Sequence, residues 1–447
     1  MVKNLNKAKE ILKTFCLVTN HIDKKELINK PKFWINKYGP FTLDKKDTAK
    51  FYNVAEFIRL NYDKGQLAEN VSKKDIERFL LEYISEVFTL LTQNDKLKAI
   101  DNFEVYINKN LKSKIENYEI FSPILNFKTK THFIFGDMKF YPFTNDKLIE
   151  EIEFIENLYS HNNVIKEENK KEGIELCRMI LSTYLNQTMF KCSFTGTTIA
   201  AKSKSYYTAL LNINVLKFLY YDIKISKPEQ NDILPKNKRI KTIMKTNDSF
   251  ITTNHLPIEF NSELFDLSLM KTEKAISLSR MLEKEVKDDI DKRILASINW
   301  AINSIEKAPA ITDESDFFDS SVYMTPNKLI LSQCLLNVMI AFETLLLFKD
   351  ENFKKKRLKI RSVILLENTN FEKTFIKDKI EKLYKLRSKI VHEGKFNESP
   401  QAVYQLYIFF RDIVFELIAL KNKEKIETNA QLKKWFKDKE TMIQKIK

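Results

Sequence analysis

Arg387 and His392 stand five residues apart in the stretch KIEKLYKLRSKIVHEGK, residues 379–395. Together these two side-chain types supply what cleavage of an RNA backbone needs. A histidine titrates near neutral pH, with an unperturbed pKa of about 6.5, so it can take the 2′-hydroxyl proton or protonate the leaving 5′-oxygen. An arginine presents a planar fork of donors to the charge that builds on the scissile phosphate. The nucleophile is the substrate's own 2′-hydroxyl, so the protein needs no Ser, Cys, metal or cofactor, and DNA cannot react. As a bare pattern R-x4-H is unspecific. The spacing also sets a geometric condition: on an ideal helix, residues five apart point about 140° away from each other. Either the helix ends near His392, as Gly394 suggests, or a second copy of the chain completes the site.

The charge around this pair is lopsided. Residues 353–395 hold 14 Lys/Arg against 5 Asp/Glu, an excess of nine out of the net +15 of the whole chain. Such a concentration draws phosphate backbones through counterion release. It marks Lys354, Lys355, Lys356, Arg357, Arg361, Lys385 and Lys395 as expected RNA contacts, with Lys389 in support beside the pair. The competing reading is a solvated helix face, since charge runs are common.

The elements that must position these residues read as helices. A chain of 447 residues has room for two or three domains, and its 43% hydrophobic and 30% charged residues describe a globular protein. With only 6 Gly and 10 Pro it lacks the frequent turns a strand-rich fold requires. The N-terminus shows no secretory signal. The longest apolar run, 329–348, carries Gln333, Asn337 and Glu343, which favours a buried core helix over a membrane span. Four scattered cysteines without a CxxC pair suit a reducing cytoplasm.

Along the chain, 46–60 and 75–91 carry apolar residues at helical spacing, the second with Ser72 as N-cap and Asp75 three residues on. Gly39 and Pro40 mark a turn. In 121–145, two β-prone runs flank Gly136 and Asp137, which predicts a hairpin. The aromatics there alternate with Lys128, Lys130 and Lys139, and core packing is preferred over base stacking. A charged run at 166–172, ending at Gly173, reads as a helix–helix connection. Residues 191–260 read as the least regular part, with a basic loop at 227–241 and strand-like pieces over 249–260. KCSFTGTTIAAKSKSYY there matches neither a P-loop nor a nucleophile elbow. From 262 onward the pattern is helical, broken by an acidic loop at 308–325. The 421–447 tail reads as a docking helix or a second phosphate-binding strip. The division is therefore an N-terminal sensing or regulatory region, 1–261, with β-prone segments at 121–145 and 191–260, and a helical domain, 262–447.

Three stretches in this order carry a family resemblance: DKRILASINWAINSIEKA (291–308), with Arg293 and Trp300, LNVMIAFETLLLF (336–348), with Glu343, and LYKLRSKIVHEG (383–394). They resemble the HEPN superfamily, specifically its Apea-like branch, over about 270–447. Two positions depart from the pattern: Glu393 separates His392 from Gly394, and Ser388 follows the Arg where the wider superfamily has Asn. The chain as a whole reads as mainly α, with a small mixed α/β insertion in its N-terminal helical region, and the resemblance implies a four- to five-helix HEPN bundle for the C-terminal part. It implies a homodimer that brings two Arg–His motifs into one composite cleft, and metal-independent endoribonuclease chemistry leaving 2′,3′-cyclic phosphate and 5′-OH ends. Arg387 would hold the phosphate and His392 act as acid and base, with Ser388 orienting the imidazole from one turn away. Glu343, a carboxylate in an apolar helix, needs a partner, for which Arg387 and Lys389 are the candidates. A structural ion pair is the plainer role for it. Members of this branch are often bacterial anti-phage defence or toxin effectors, so a phage-derived or nucleotide activator acting on the N-terminal region is the expected trigger. The alternatives are a non-catalytic RNA- or nucleotide-binding member and a purely dimerising interaction protein. No membrane partner is expected, and the expected location is cytoplasmic.

Overall fold

The computed structural model of the chain describes residues 9–10, 12–13, 45–61, 70–88, 92–161, 167–220, 240–255, 258–262, 267–307, 326–349, 351–367, 369, 372–393 and 400–445. Gly39, Pro40, nearly all of the 227–241 loop, the 308–325 loop, Gly394 and Lys395 lie outside the described residues.

Helical residues at 9–10 and 12–13 precede α1 (Lys45–Asn61), α2 (Lys73–Phe88), α3 (Gln93–Asp101) and α4 (Phe103–Asn110) among the described residues. They enclose a core of their own built on Phe51, Ile58, Phe79, Tyr83, Phe103 and Ile107. The start of α2 is the one its sequence predicts. Ser72 Oγ accepts the Asp75 N–H at 3.1 Å, and the Asp75 carboxylate accepts the Ser72 N–H at 3.2 Å, a reciprocal cap.

A seven-stranded sheet follows, the β part expected within a mainly helical chain. Its strands are β1 (Glu116–Phe127), β2 (Phe133–Phe135), β3 (Met138–Pro142), β4 (Thr188–Gly196), β5 (Ile240–Lys245), β6 (Phe250–His255) and β7 (Ile258–Ser262). The order is β2-β3-β4-β1-β5-β6, antiparallel throughout, with β7 lying parallel beside the end of the long β1. Because side chains alternate across a strand, β1 feeds two layers. Phe121, with Met189 and Ile243, packs on α5 (Asn145–His161) and α6 (Glu167–Ser182). Ile120 and Ile124, with Phe140, Phe190 and Cys192, face the opposite way. Phe127, Phe133 and Phe140 pack ring against ring, so the aromatics between the lysines of 128–139 are core.

Gly136 sits at φ +61 in the β2–β3 turn, and its N–H donates to Ser279 Oγ at 2.9 Å. A Cβ there would collide with Asn212 Oδ1 and stand 2.7 Å from Leu282 Cβ. Gly136→Ala is therefore expected to cost at least about 1–3 kcal/mol from the backbone alone, read as a lowered urea midpoint with an unchanged slope.

Two expectations need correction. Residues 167–172 do not separate helices but open α6, which continues through Gly173, where the absence of a Cβ accommodates the Tyr159 ring, its hydroxyl 2.5 Å from an ideal Cβ. And KCSFTGTTIAAKSKSYY is not irregular. It forms β4 and the first half of α7 (Thr198–Tyr220), 23 residues long. Over its second half α7 is buried nearly all round, so no apolar stripe alternates with a polar one and the helical period is invisible.

α7 joins the sheet to the helices beyond it, which are α8 (Glu273–Glu283), α9 (Asp289–Lys307), α10 (Pro326–Leu346), α11 (Lys354–Leu365), α12 (Lys373–Glu393), α13 (Pro400–Glu424) and α14 (Asn429–Lys445). Asn214 Nδ2 donates to Asn299 Oδ1, the Lys217 ammonium pairs with Glu306, and Arg411 donates to the Leu219 carbonyl at 3.4 Å. One apolar core runs from β1 through α7 into α10 and α13, so the packing does not stop at residue 261. Leu432 and Phe436 seat α14 on that core, so this part of the tail is a docked helix, with Lys433, Lys434 and Lys437 on its exposed face. Among the described residues no helix is long and apolar enough to cross a membrane.

A charged cluster ties the start of α9 to the end of α13. Asp291 is fully buried and receives the Lys421 and Lys284 ammoniums, while Asp288 accepts from Lys421 at 2.7 Å. Burial works against the Asp288 charge, but hydrogen bonds from Lys421, the Asp291 N–H and Lys284 outweigh it, and its carboxyl is held well below the usual range. A depressed folded pKa gives stability that is present above the unfolded value of about 3.9 and lost as pH falls through the folded one. Urea midpoints are therefore expected to drop from pH 5 to pH 3. They should drop less steeply in Lys421→Met, which is itself destabilised by about 1–3 kcal/mol.

Candidate active site

α12 is amphipathic. Ile376, Ile380, Leu383 and Leu386 are buried and Ile390 packs beside them, a stripe at three- and four-residue spacing that faces the core. Arg387 lies at the edge of this stripe, half-buried, so its guanidinium can reach α10 without leaving water. Its Nε stands 3.9 Å from Glu343 Oε1, and the Tyr384 hydroxyl donates to the same oxygen at 3.4 Å. The carboxylate in the apolar helix thus finds Arg387, while Lys389 projects into solvent. Burial, then the Glu343 charge, raises the Tyr384 phenol far above its ordinary pKa, against a smaller opposite pull from Arg387, so the hydroxyl stays a donor. Tyr384 had not been assigned a role; its three-residue separation from Arg387, which puts both on one face, was the available signal.

The position of Glu343 is fixed by the end of its helix. The last carbonyls of α10 would be left without partners. Arg293 of α9 donates to Thr344 O and Leu347 O, both at 2.6 Å, and Arg361 of α11 donates to Leu346 O at 2.6 Å. Both guanidiniums lie over the Phe348 ring, 4.6 and 5.0 Å from its centroid. Two arginines from two helices therefore cap the turn that carries Glu343.

His392 lies in the last turn of α12, exposed, and the helix ends at Glu393. Arg387 and His392 do not share a face of this helix, since five residues amount to about 140°. The surface between them is made by Tyr384, Ser388 and Val391, the last 54% exposed. Ser388 is exposed one turn before His392, and among the described residues no hydrogen bond joins the two. One copy of the chain presents Arg387 and His392 as neighbouring parts of a surface, not as a closed pair.

The expected RNA contacts divide. Lys354, Lys356, Lys385 and Lys389 are exposed, and no ion pair among the described residues engages them. Lys355 is taken up, with Lys359, by Glu381, whose carboxyl these hydrogen bonds hold down to about 2. Arg357 stands 3.7 Å from Glu351 and 3.6 Å from Glu440. Arg361 departs from the expectation altogether. It is 1% exposed, grips both oxygens of Glu351 at 2.7 Å and reaches Glu440 at 3.2 Å. It cannot touch a phosphate from there and belongs to the core.

No model of a known protein family, no curated protein and no solved structure matches the chain.

Proposed function

We propose that the chain is a metal-independent endoribonuclease of HEPN type, acting as a homodimer. The observation that carries the reading is the arrangement on α12. Arg387 stands beside Glu343, itself hydrogen-bonded by Tyr384, at the rim of the bundle, and His392 is exposed to solvent about a turn and a half further on. In the reaction, the substrate 2′-oxygen bonds to the adjacent phosphorus as its proton passes to a base, and the P–O5′ bond breaks as the 5′-oxygen is protonated. His392 is the side chain placed to make either proton transfer. Arg387 neutralises the charge gathering on the non-bridging oxygens. The separation of the two on one helix favours a composite cleft, in which a second copy faces Val391 and Ser388 and sets its own Arg387 and His392 opposite the first pair. Cutting in an anti-phage defence or toxin setting, and control by the N-terminal region, are part of the same proposal. α7 offers the mechanical link for that control, being packed on the sheet at one end and on α9 and α13 at the other.

The test is incubation of the purified protein with tRNA and mRNA in EDTA, followed by mapping of the product ends. Products bearing 2′,3′-cyclic phosphates and 5′-OH ends, absent with His392→Ala, are the expected result. Products with 3′-OH ends, or cleavage unaltered in His392→Ala, would overturn it. A second reading, a non-catalytic RNA-binding member, is favoured by one observation: Arg387 is already engaged by a carboxylate. It predicts RNA binding that His392→Ala leaves unchanged, without cleavage.

A further inference from the structure

The N-terminal helices keep a core of their own. Among the described residues it shares no side chain with the apolar core that runs from β1 through α7 into α10 and α13. A polar junction ties the two bodies together. Thr197, buried, stands directly before α7 and caps it: its hydroxyl accepts the Ala200 N–H at 3.3 Å and its carbonyl the Ala201 N–H at 2.8 Å. The same hydroxyl donates to Asp75 Oδ2. That oxygen also accepts from Ser72 Oγ at 2.6 Å, within the cap of α2. The starts of α2 and α7 are therefore locked into each other through one carboxylate, which lies at the positive ends of both helices. The Thr197 N–H completes the junction, donating to the Asn70 carbonyl at 2.8 Å. The approach is close enough to need Gly196, where an ideal Cβ would stand 2.8 Å from the Asn70 oxygen.

We propose that this junction is a latch, and that α1–α4 form a body that detaches from the start of α7 as a unit without unfolding. The proposal deepens the control element of the ribonuclease reading and rests on that reading only for what the far end of α7 acts on. The helices on the near side have a core that survives detachment. The contacts broken are hydrogen bonds, which water replaces at small net cost, whereas reopening an apolar seam exposes apolar surface. And α7 is a rigid carrier. Over its second half it is buried nearly all round, and its 23 residues span about 34 Å at 1.5 Å per residue, from the latch to α9 and α13. With the latch closed, Asp75 and Asn70 hold the first turn of α7 and its cap. With the latch open, that turn loses its outer anchor while the buried half keeps its seat. The position of the N-terminal body is therefore passed to α9 and α13 only while the latch is closed.

Hydrogen exchange read by mass spectrometry on the full-length chain tests the latch. Gly196→Ala and Asp75→Asn are the openers, and Ser193→Ala, exposed on β4, is the control. Gly196→Ala keeps every capping side chain and pushes the Asn70 carbonyl away. Asp75→Asn removes the shared charge. The Thr197 N–H, bonded to Asn70, reports the junction directly. In both openers, exchange across 197–201 is expected to quicken at least about tenfold. Ser193→Ala should exchange at the parent rate, and peptides covering 79–107 and 289–305 should keep their protection in every variant. Gly196→Ala decides where the two openers disagree, because it leaves the caps in place, and either suffices if the other does not fold. Unchanged exchange across 197–201 would overturn the latch. So would protection lost across 79–107 together with 197–201, since the two bodies would then open as one cooperative unit. No RNA enters the measurement, so failure of the EDTA cleavage assay would leave an observed latch standing. A junction that does not open, beside His392-dependent cleavage, would remove the latch and leave the ribonuclease reading in place.

Discussion

Arg361→Ala is expected to lower the unfolding free energy by about 3–5 kcal/mol, because it strands a buried carboxylate. Glu351 is 8% exposed and receives two hydrogen bonds from Arg361 and one from the Phe348 N–H. Burial alone would raise the Glu351 pKa, and the Arg361 guanidinium and the Phe348 amide together bring it below the ordinary value. Without Arg361 the acid is left buried without its main partner and the Leu346 carbonyl loses its donor. Arg361→Lys is expected to recover only part of the loss, since an ammonium cannot grip both carboxylate oxygens and the carbonyl at once. Chemical denaturation of the two variants beside Lys385→Gln decides the matter. A surface contact to RNA would leave stability within about 0.5 kcal/mol, as Lys385→Gln is expected to do. Loss at Arg361 should also loosen the turn carrying Glu343, so a second readout is hydrogen exchange at Leu347 N–H, which donates to the Glu343 carbonyl at 2.9 Å.

Arg387→Ala and His392→Ala are each expected to reduce cleavage by about 10²–10⁴-fold, the range for removing a positioned general acid–base or a charge stabiliser, with little change in stability at the exposed His392. Because the two side chains diverge on α12, mixing carries further information. If one copy supplies Arg387 and the other His392, co-expressed Arg387→Ala and His392→Ala chains form mixed dimers with one intact cleft, and activity returns to a sizeable fraction of the parent. If both come from one chain, or if neither is catalytic, mixing restores nothing. Glu343→Gln, which keeps the shape and removes the charge beside Arg387, is expected to act more weakly than either. A full loss with Glu343→Gln would make the carboxylate itself part of the chemistry.

The helix carrying the candidate site was legible because its information is local. Ile376, Ile380, Leu383 and Leu386 recur at the helical period, and their burial follows from it. The Ser72–Asp75 cap and the Gly136 turn were equally legible, each a contact or a backbone torsion within a few residues. The apolar 329–348 run revealed α10 as a central helix by composition alone. α7 escaped for the converse reason: a segment covered by the sheet on one side and by α9 and α13 on the other has no polar face to mark a period. Nor does the basic run say which of its cations are free. Arg361 and Lys385 look alike in sequence, yet one meets Glu351 ten residues back and Glu440 seventy-nine residues on, while the other meets water. The Glu343–Arg387 contact was named as a candidate and could not be chosen over Lys389 until α10 and α12 were packed. Periodicity, caps and turns are properties of neighbours along the chain, and the sequence alone determined them. Which charge is buried, which is paired and which faces substrate depends on groups tens of residues apart, brought together only by tertiary packing.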